Sequence, residues 1–127
     1  MKLIEIILLL IFLLLLELFM PRFFVASGYS MYPTISPGDL LICIRSPFYK
    51  KGDIVAFKFR DTANYKILKK VEEIYGNENV SSGDFVITHR IVDEFGIFFV
   101  TKGDNAGIKE LVPKNKIICK VFIIKKT

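Results

Sequence analysis

Ser30 sits in the run Ser27-Gly28-Tyr29-Ser30-Met31-Tyr32-Pro33-Thr34, after a strongly apolar N-terminal segment and before a proline-stiffened turn. A serine hydroxyl is a poor nucleophile at neutral pH until a base takes its proton, so the chain must bring a base to it from elsewhere. The single histidine, His89, is the candidate. Alternation along Phe85 to Val92 puts Phe85, Ile87, His89 and Ile91 on one strand face and Val86, Thr88, Arg90 and Val92 on the other. A histidine on an apolar face can be an ordinary core residue. Beside Ser30, partial burial would hold the imidazole neutral, able to accept the hydroxyl proton and return it to a leaving amine.

An acid on the other ring nitrogen would fix the tautomer and stabilise the imidazolium. Asp104 is the expected principal orienter, with Glu110, six residues on, in support. The alternatives are a plain Gly-Asp turn for Asp104 and a surface position for Glu110. For the oxyanion, the Ser30 amide is the natural donor. A second donor could be the Ser27 hydroxyl or the Gly28 amide, unless both only shape the turn. Met31, next to the nucleophile, is a candidate pocket residue or a core residue.

These residues need elements to hold them. Gly-Asp pairs precede three β-like runs: Gly38-Asp39 before Leu40 to Ile44, Gly52-Asp53 before Ile54 to Phe59, and Gly83-Asp84 before Phe85 to Val92. Further strands are expected at Ile97 to Thr101 and Ile117 to Ile124, so residues 23–127 read as one mainly β domain. Residues 60–82 read as a peripheral insertion. Ile67, Leu68, Val71, Ile74 and Tyr75 fit helical spacing with Gly76 at the end, and a β-hairpin is the alternative.

Residues 1–22 read as an N-terminal transmembrane anchor, apolar from Leu3 to Met20 except at Glu5 and Glu17 near its ends. A cleavable signal peptide is the alternative, since Lys2 gives a basic start and Val25-Ala26-Ser27 offers small residues. Cutting there would leave Ser30 almost at a free N-terminus. Charge does not set orientation, because Lys2 on one side faces only Arg22 on the other.

The 127 residues suit a single catalytic module, and the net charge of +5 comes without a stacking-aromatic or basic-helix signature for nucleic acid. The charge reads as surface solvation, with anionic lipid headgroups beside a tethered domain. Cys43 and Cys119 each lie in an apolar run, which favours buried free thiols over a disulfide. One histidine and no Cys-x-x-Cys give no basis for a metal site, and no cofactor is called for.

Taken together, these segments resemble type I signal peptidases, in particular the archaeal and endoplasmic-reticulum branch that uses histidine in place of lysine. Ser27 to Ile35 resembles the nucleophile box, Lys51 to Phe57 the strand that follows, Thr88 to Val92 the general-base box and Thr101 to Asn105 the acidic box. Two positions depart from that pattern: Glu110 stands where the branch usually has a second aspartate, and Gly28 where an oxyanion-assisting serine is common. The resemblance implies a β-rich serine peptidase domain on the extracytoplasmic face of the cell membrane. Its substrates would be the signal peptides of secreted preproteins, cut after small residues in Ala-x-Ala-like sites beside the Sec translocon, with accessory subunits possible. The competing readings are a self-cleaving SOS-type repressor, which calls for a DNA-binding head and a lysine base, and a catalytically silent, membrane-anchored peptide-binding β domain.

Overall fold

The computed structural model describes residues 2–76 and 82–127. A first helix, α1 (Leu3–Phe19), leads within three residues into strand β1 (Arg22–Val25). There follow β2 (Leu40–Ile44), β3 (Ile54–Lys58), a second helix α2 (Ala63–Tyr75), β4 (Val86–Phe95), β5 (Phe98–Lys102), β6 (Lys109–Pro113) and β7 (Cys119–Lys125). The strands form one antiparallel sheet in the order β1-β2-β7-β3-β4-β5-β6. The β-rich expectation therefore holds, and five of the seven strands fall on the segments expected from sequence.

β3 is central because its short run is apolar on both faces, as a strand covered on two sides requires. Ala56 packs with Met31, Ile35, Leu41, Cys119 and Val121, whereas Val55 and Phe57 pack with Ile91, Phe99 and Val112. Burying a side chain of this size contributes about 1.5–3 kcal/mol, so the strands flanking the candidate base are among the firmest in the domain.

One expectation is corrected, and the N-terminal segment is described more closely: α1 ends at Phe19, and Arg22 already pairs with Cys43 across β1 and β2. Among the described residues no helix is long and apolar enough to cross a membrane; at 1.5 Å per residue, the 17 residues of α1 extend about 25 Å. The correction concerns Cys43 and Cys119, which are not free thiols but a disulfide, with Cα atoms 5.4 Å apart. Both segments are apolar because β2 and β7 are neighbouring strands, and that pairing, across 76 residues of sequence, sets the two sulfurs side by side.

Within 60–82 the helix prevails over the hairpin. The Thr62 hydroxyl caps α2 by accepting from the Tyr65 N–H at 3.1 Å, and Gly76 ends it at φ +69°. Residues 77–81 of that insertion lie outside the described residues.

Candidate active site

The turn that carries Ser30 begins where β1 ends. The Tyr32 N–H donates to the Tyr29 carbonyl at 3.0 Å and the Ile35 N–H to the Met31 carbonyl at 2.9 Å, while the Tyr32-Pro33 peptide is cis. Gly28 takes φ +79°, a conformation other residues adopt only at a cost, and a Cβ there would meet nothing within 4 Å. Ser30 itself is exposed. Met31 anchors the turn from below, only 4% exposed among the core side chains.

β4 supplies His89. The predicted alternation is realised: His89 and Ile91 are buried while Val86 and Thr88 are more exposed, and the ring lies edge-on to Phe57 with centroids 6.4 Å apart. Nδ1 of His89 is hydrogen-bonded to Oε1 of Glu110, and both side chains are nearly inaccessible. An ionised carboxylate only accepts, so Nδ1 carries the proton and Nε2 of the neutral ring is left with a free lone pair. Glu110 reaches the ring from β6, two strands away, because β5 between them carries the smaller Thr101 opposite it.

The assignment of Asp104 as the acid on His89 is thereby corrected. Its carboxylate is engaged elsewhere, accepting from Arg90 Nε at 2.9 Å, from Arg90 Nη2 at 2.8 Å and from the Thr34 hydroxyl at 2.6 Å. The Arg90 fork, and after it the Thr34 hydroxyl, holds the Asp104 carboxyl below its ordinary value of 3.8, and Asp104 in turn raises the Arg90 guanidinium. A second Arg90 arm donates to the Gly52 carbonyl at 3.0 Å. Asp104 thus ties β4 to the Ser30 turn and makes no hydrogen bond to the imidazole.

Its loop makes the rest of that tie through the backbone. The Asn105 N–H donates to the Ser30 carbonyl at 2.8 Å, the Asn105 side chain to the Tyr29 carbonyl at 3.1 Å, and the Asp104 N–H to the Met31 sulfur at 3.3 Å. Gly103 makes this approach possible. A Cβ on it would lie 2.5 Å from the Ser30 carbonyl oxygen and 2.9 Å from His89 Nε2, closer than real Cβ contacts come. Nε2 therefore faces the wall formed by Gly103 and the backbone of Ser30.

Ser27, Gly28, Ser30, Met31 and His89 all line one cleft of about 250 Å3, whose apolar walls include Val25, Ala26 and Val86. Asp104 and Glu110 do not line it: the first is a tie across the loops and the second stands behind the histidine. Sequence reasoning missed Arg90, Thr34 and Gly103. The placement of Arg90 on the strand face opposite His89 was the signal that it serves another partner.

On the far side of the turn, Asp39 is fully buried. It accepts from the Ser36 N–H at 2.8 Å, Lys126 Nζ at 2.8 Å and the Thr127 N–H at 2.9 Å. Those donors, Lys126 foremost, hold its carboxyl far below the usual carboxylate range. Lys126 also donates to the Thr34 carbonyl at 3.0 Å, so the segment just after β7 braces the Ser30 turn from behind.

A family model described as Peptidase S24-like matches residues 22–78. The match covers the Ser30 turn and β1 to α2 and stops short of His89 and Glu110. It supports a serine peptidase-like fold, to which the β-rich sheet conforms. No curated protein and no solved structure matches the chain.

Proposed function

We infer that this chain is a membrane-tethered serine endopeptidase that removes signal peptides from secreted preproteins after small residues. The observation that carries the reading is the placing of Ser30 in one cleft with His89, whose Nδ1 is bound to a buried carboxylate. In this reading the Ser30 hydroxyl attacks the scissile carbonyl as His89 Nε2 takes its proton, and Glu110 stabilises the imidazolium that forms. The Ser30 N–H, with the Gly28 amide or Ser27 hydroxyl, receives the oxyanion. The proton then passes from His89 to the leaving amine, and water attacks the acyl-enzyme by the same path in reverse.

Substrate size follows from the cleft. Its walls of Val25, Ala26 and Val86 give small apolar pockets, and β1 is an edge strand to which an extended peptide can add. Tethering rests on α1, whose leucines and isoleucines are exposed along its whole length, a distribution that fits a lipid surrounding better than water. Because α1 is short of the ~30 Å hydrocarbon core, residues flanking it, such as Lys2 and Met20, would complete the seat. The disulfide supports an oxidising, extracytoplasmic setting for the domain.

The S24-like match also suits the self-cleaving repressor reading. That reading calls for a lysine base, and here a histidine paired with a glutamate holds the place. The test is cleavage of a purified preprotein by the full chain in liposomes, with the cut site read by mass spectrometry. A cut after a small residue, abolished in Ser30→Ala and His89→Ala and slowed about 10³-fold or more in Glu110→Gln, is the expected result. Intact preprotein alongside self-cleavage of the chain would favour the repressor-like reading, and no cleavage of either by folded protein would favour a silent binding domain.

A further inference from the structure

Among the described residues, two buried side-chain polar atoms lack a hydrogen-bond partner: Thr101 Oγ1 and Glu110 Oε2. They are not scattered. Thr101 on β5 and Glu110 on β6 are direct register partners, so their side chains leave the sheet on the same face at neighbouring positions. The residue across from Thr101 on its other side is Ile91, which offers no polar group. One atom is a hydroxyl that can donate and the other a carboxylate oxygen that can only accept, and each is shut off from solvent.

We propose that Thr101 is a positioning residue for the catalytic histidine: its hydroxyl donates to Glu110 Oε2 and pins the carboxylate whose other oxygen holds His89 Nδ1. Rotation of Thr101 between staggered χ1 wells swings the hydroxyl over its cross-strand neighbour with no change in backbone. The proposal rests on the peptidase reading for its consequence in catalysis but not for the contact itself. A free Oε2 would let the carboxylate turn about its last bond and release Nδ1. With both oxygens bound, the imidazole keeps one tautomer and one orientation, with Nε2 towards Ser30.

The contact also decides how firmly the carboxylate holds the Nδ1 proton in place. The other charged groups on the elements packed around the ring are already committed. Arg90 and Asp104 bind each other, Lys102 Nζ donates to the Gly103 carbonyl, and Asp53 pairs with Lys120. Lys109 lies on β6 beside Glu110 and is exposed, and β3 presents Val55 and Phe57 to this face.

His89 is the only histidine in the chain, so its ring resonances can be followed by NMR with no need for turnover. In Thr101→Val the Nδ1–H resonance of the ring should broaden or vanish through exchange, while Thr101→Ser, which keeps the hydroxyl, should retain it as in wild type. Where the preprotein is cut, kcat should fall about tenfold at constant KM. A folded Thr101→Val with the wild-type Nδ1–H resonance, or a Thr101→Ser that loses it equally, would overturn the proposal. Should valine prevent folding, the wild-type protein decides: a slowly exchanging Thr101 hydroxyl proton supports the bond and its absence refutes it. Loss of the Nδ1–H resonance in Thr101→Val, in a protein whose wild type cuts nothing, would sink the peptidase reading and leave the contact standing.

Discussion

At Gly38-Asp39 and Gly52-Asp53 the glycine takes a left-handed φ, +91° and +97°, and the aspartate folds back to accept the N–H of the residue three before it, Ser36 or Lys50. At Gly103-Asp104 the same dipeptide does neither. Gly103 has no positive φ, and its aspartate reaches out of the loop to Arg90 and Thr34. The first two glycines are required by the backbone's own conformation, the third by what stands next to it. A dipeptide that in two places turns the chain in the third lets two distant segments touch, and only the surroundings distinguish them.

Alanine substitutions separate the two uses. Gly103→Ala should have the largest effect, because its methyl would displace either the Ser30 carbonyl or the imidazole, and misplacing reacting groups by about 1 Å can cost about 100-fold in rate. Steady-state cleavage by a variant whose circular dichroism matches wild type would show it. Undiminished kcat would mean that the Gly103 wall is not part of the working site.

A smaller loss is expected of Asp104→Asn, about tenfold in rate, since the tie weakens while the His89–Glu110 bond remains. Its stability signature has a sign. The Asp104 carboxyl is depressed in the folded protein by Arg90 and then Thr34, so its contribution is present above 3.8 and is lost as pH falls through the folded value. Chemical denaturation as a function of pH should find wild type and variant separated by a constant gap at neutral and mildly acidic pH that closes only below that point. A gap that closes near pH 6 would assign the effect to another group.

The least functional change is Gly52→Ala. Nothing lies within 4 Å of its Cβ, so only left-handed strain, about 1–2 kcal/mol, opposes it. Thermal unfolding should register the loss while kcat per folded molecule stays at the wild-type value. A fall in kcat would show that the Arg90 bond to the Gly52 carbonyl carries more of the site than the turn does.

The sequence was most legible where a residue's own neighbours decide its conformation. The strand alternation around His89, the turn at Ser30 and the Gly76 end of α2 are local signals, and each was realised in the structure. What stayed hidden depends on register between strands far apart in the chain. Glu110 was expected only in support of Asp104, with a surface position as the alternative, and it is the pairing of β6 with β5 that turns its side chain inward to His89. The same holds for Cys43 and Cys119, and for Arg90 and Asp104, where an expected orienter proved to be a brace. β1 was missed because its four residues sit between an apolar helix and the Ser30 turn, with no room for a pattern of their own.

The buried Asp39 behind the Ser30 turn finds its donors in Lys126 and Thr127, 87 and 88 residues downstream. A chain emerging from the ribosome makes the Ser30 turn long before it makes those residues, and meanwhile that carboxylate has only its local turn to settle in. The brace behind the Ser30 turn thus arrives only after some 87 further residues have been made, so a half-synthesised copy carries that turn without its support.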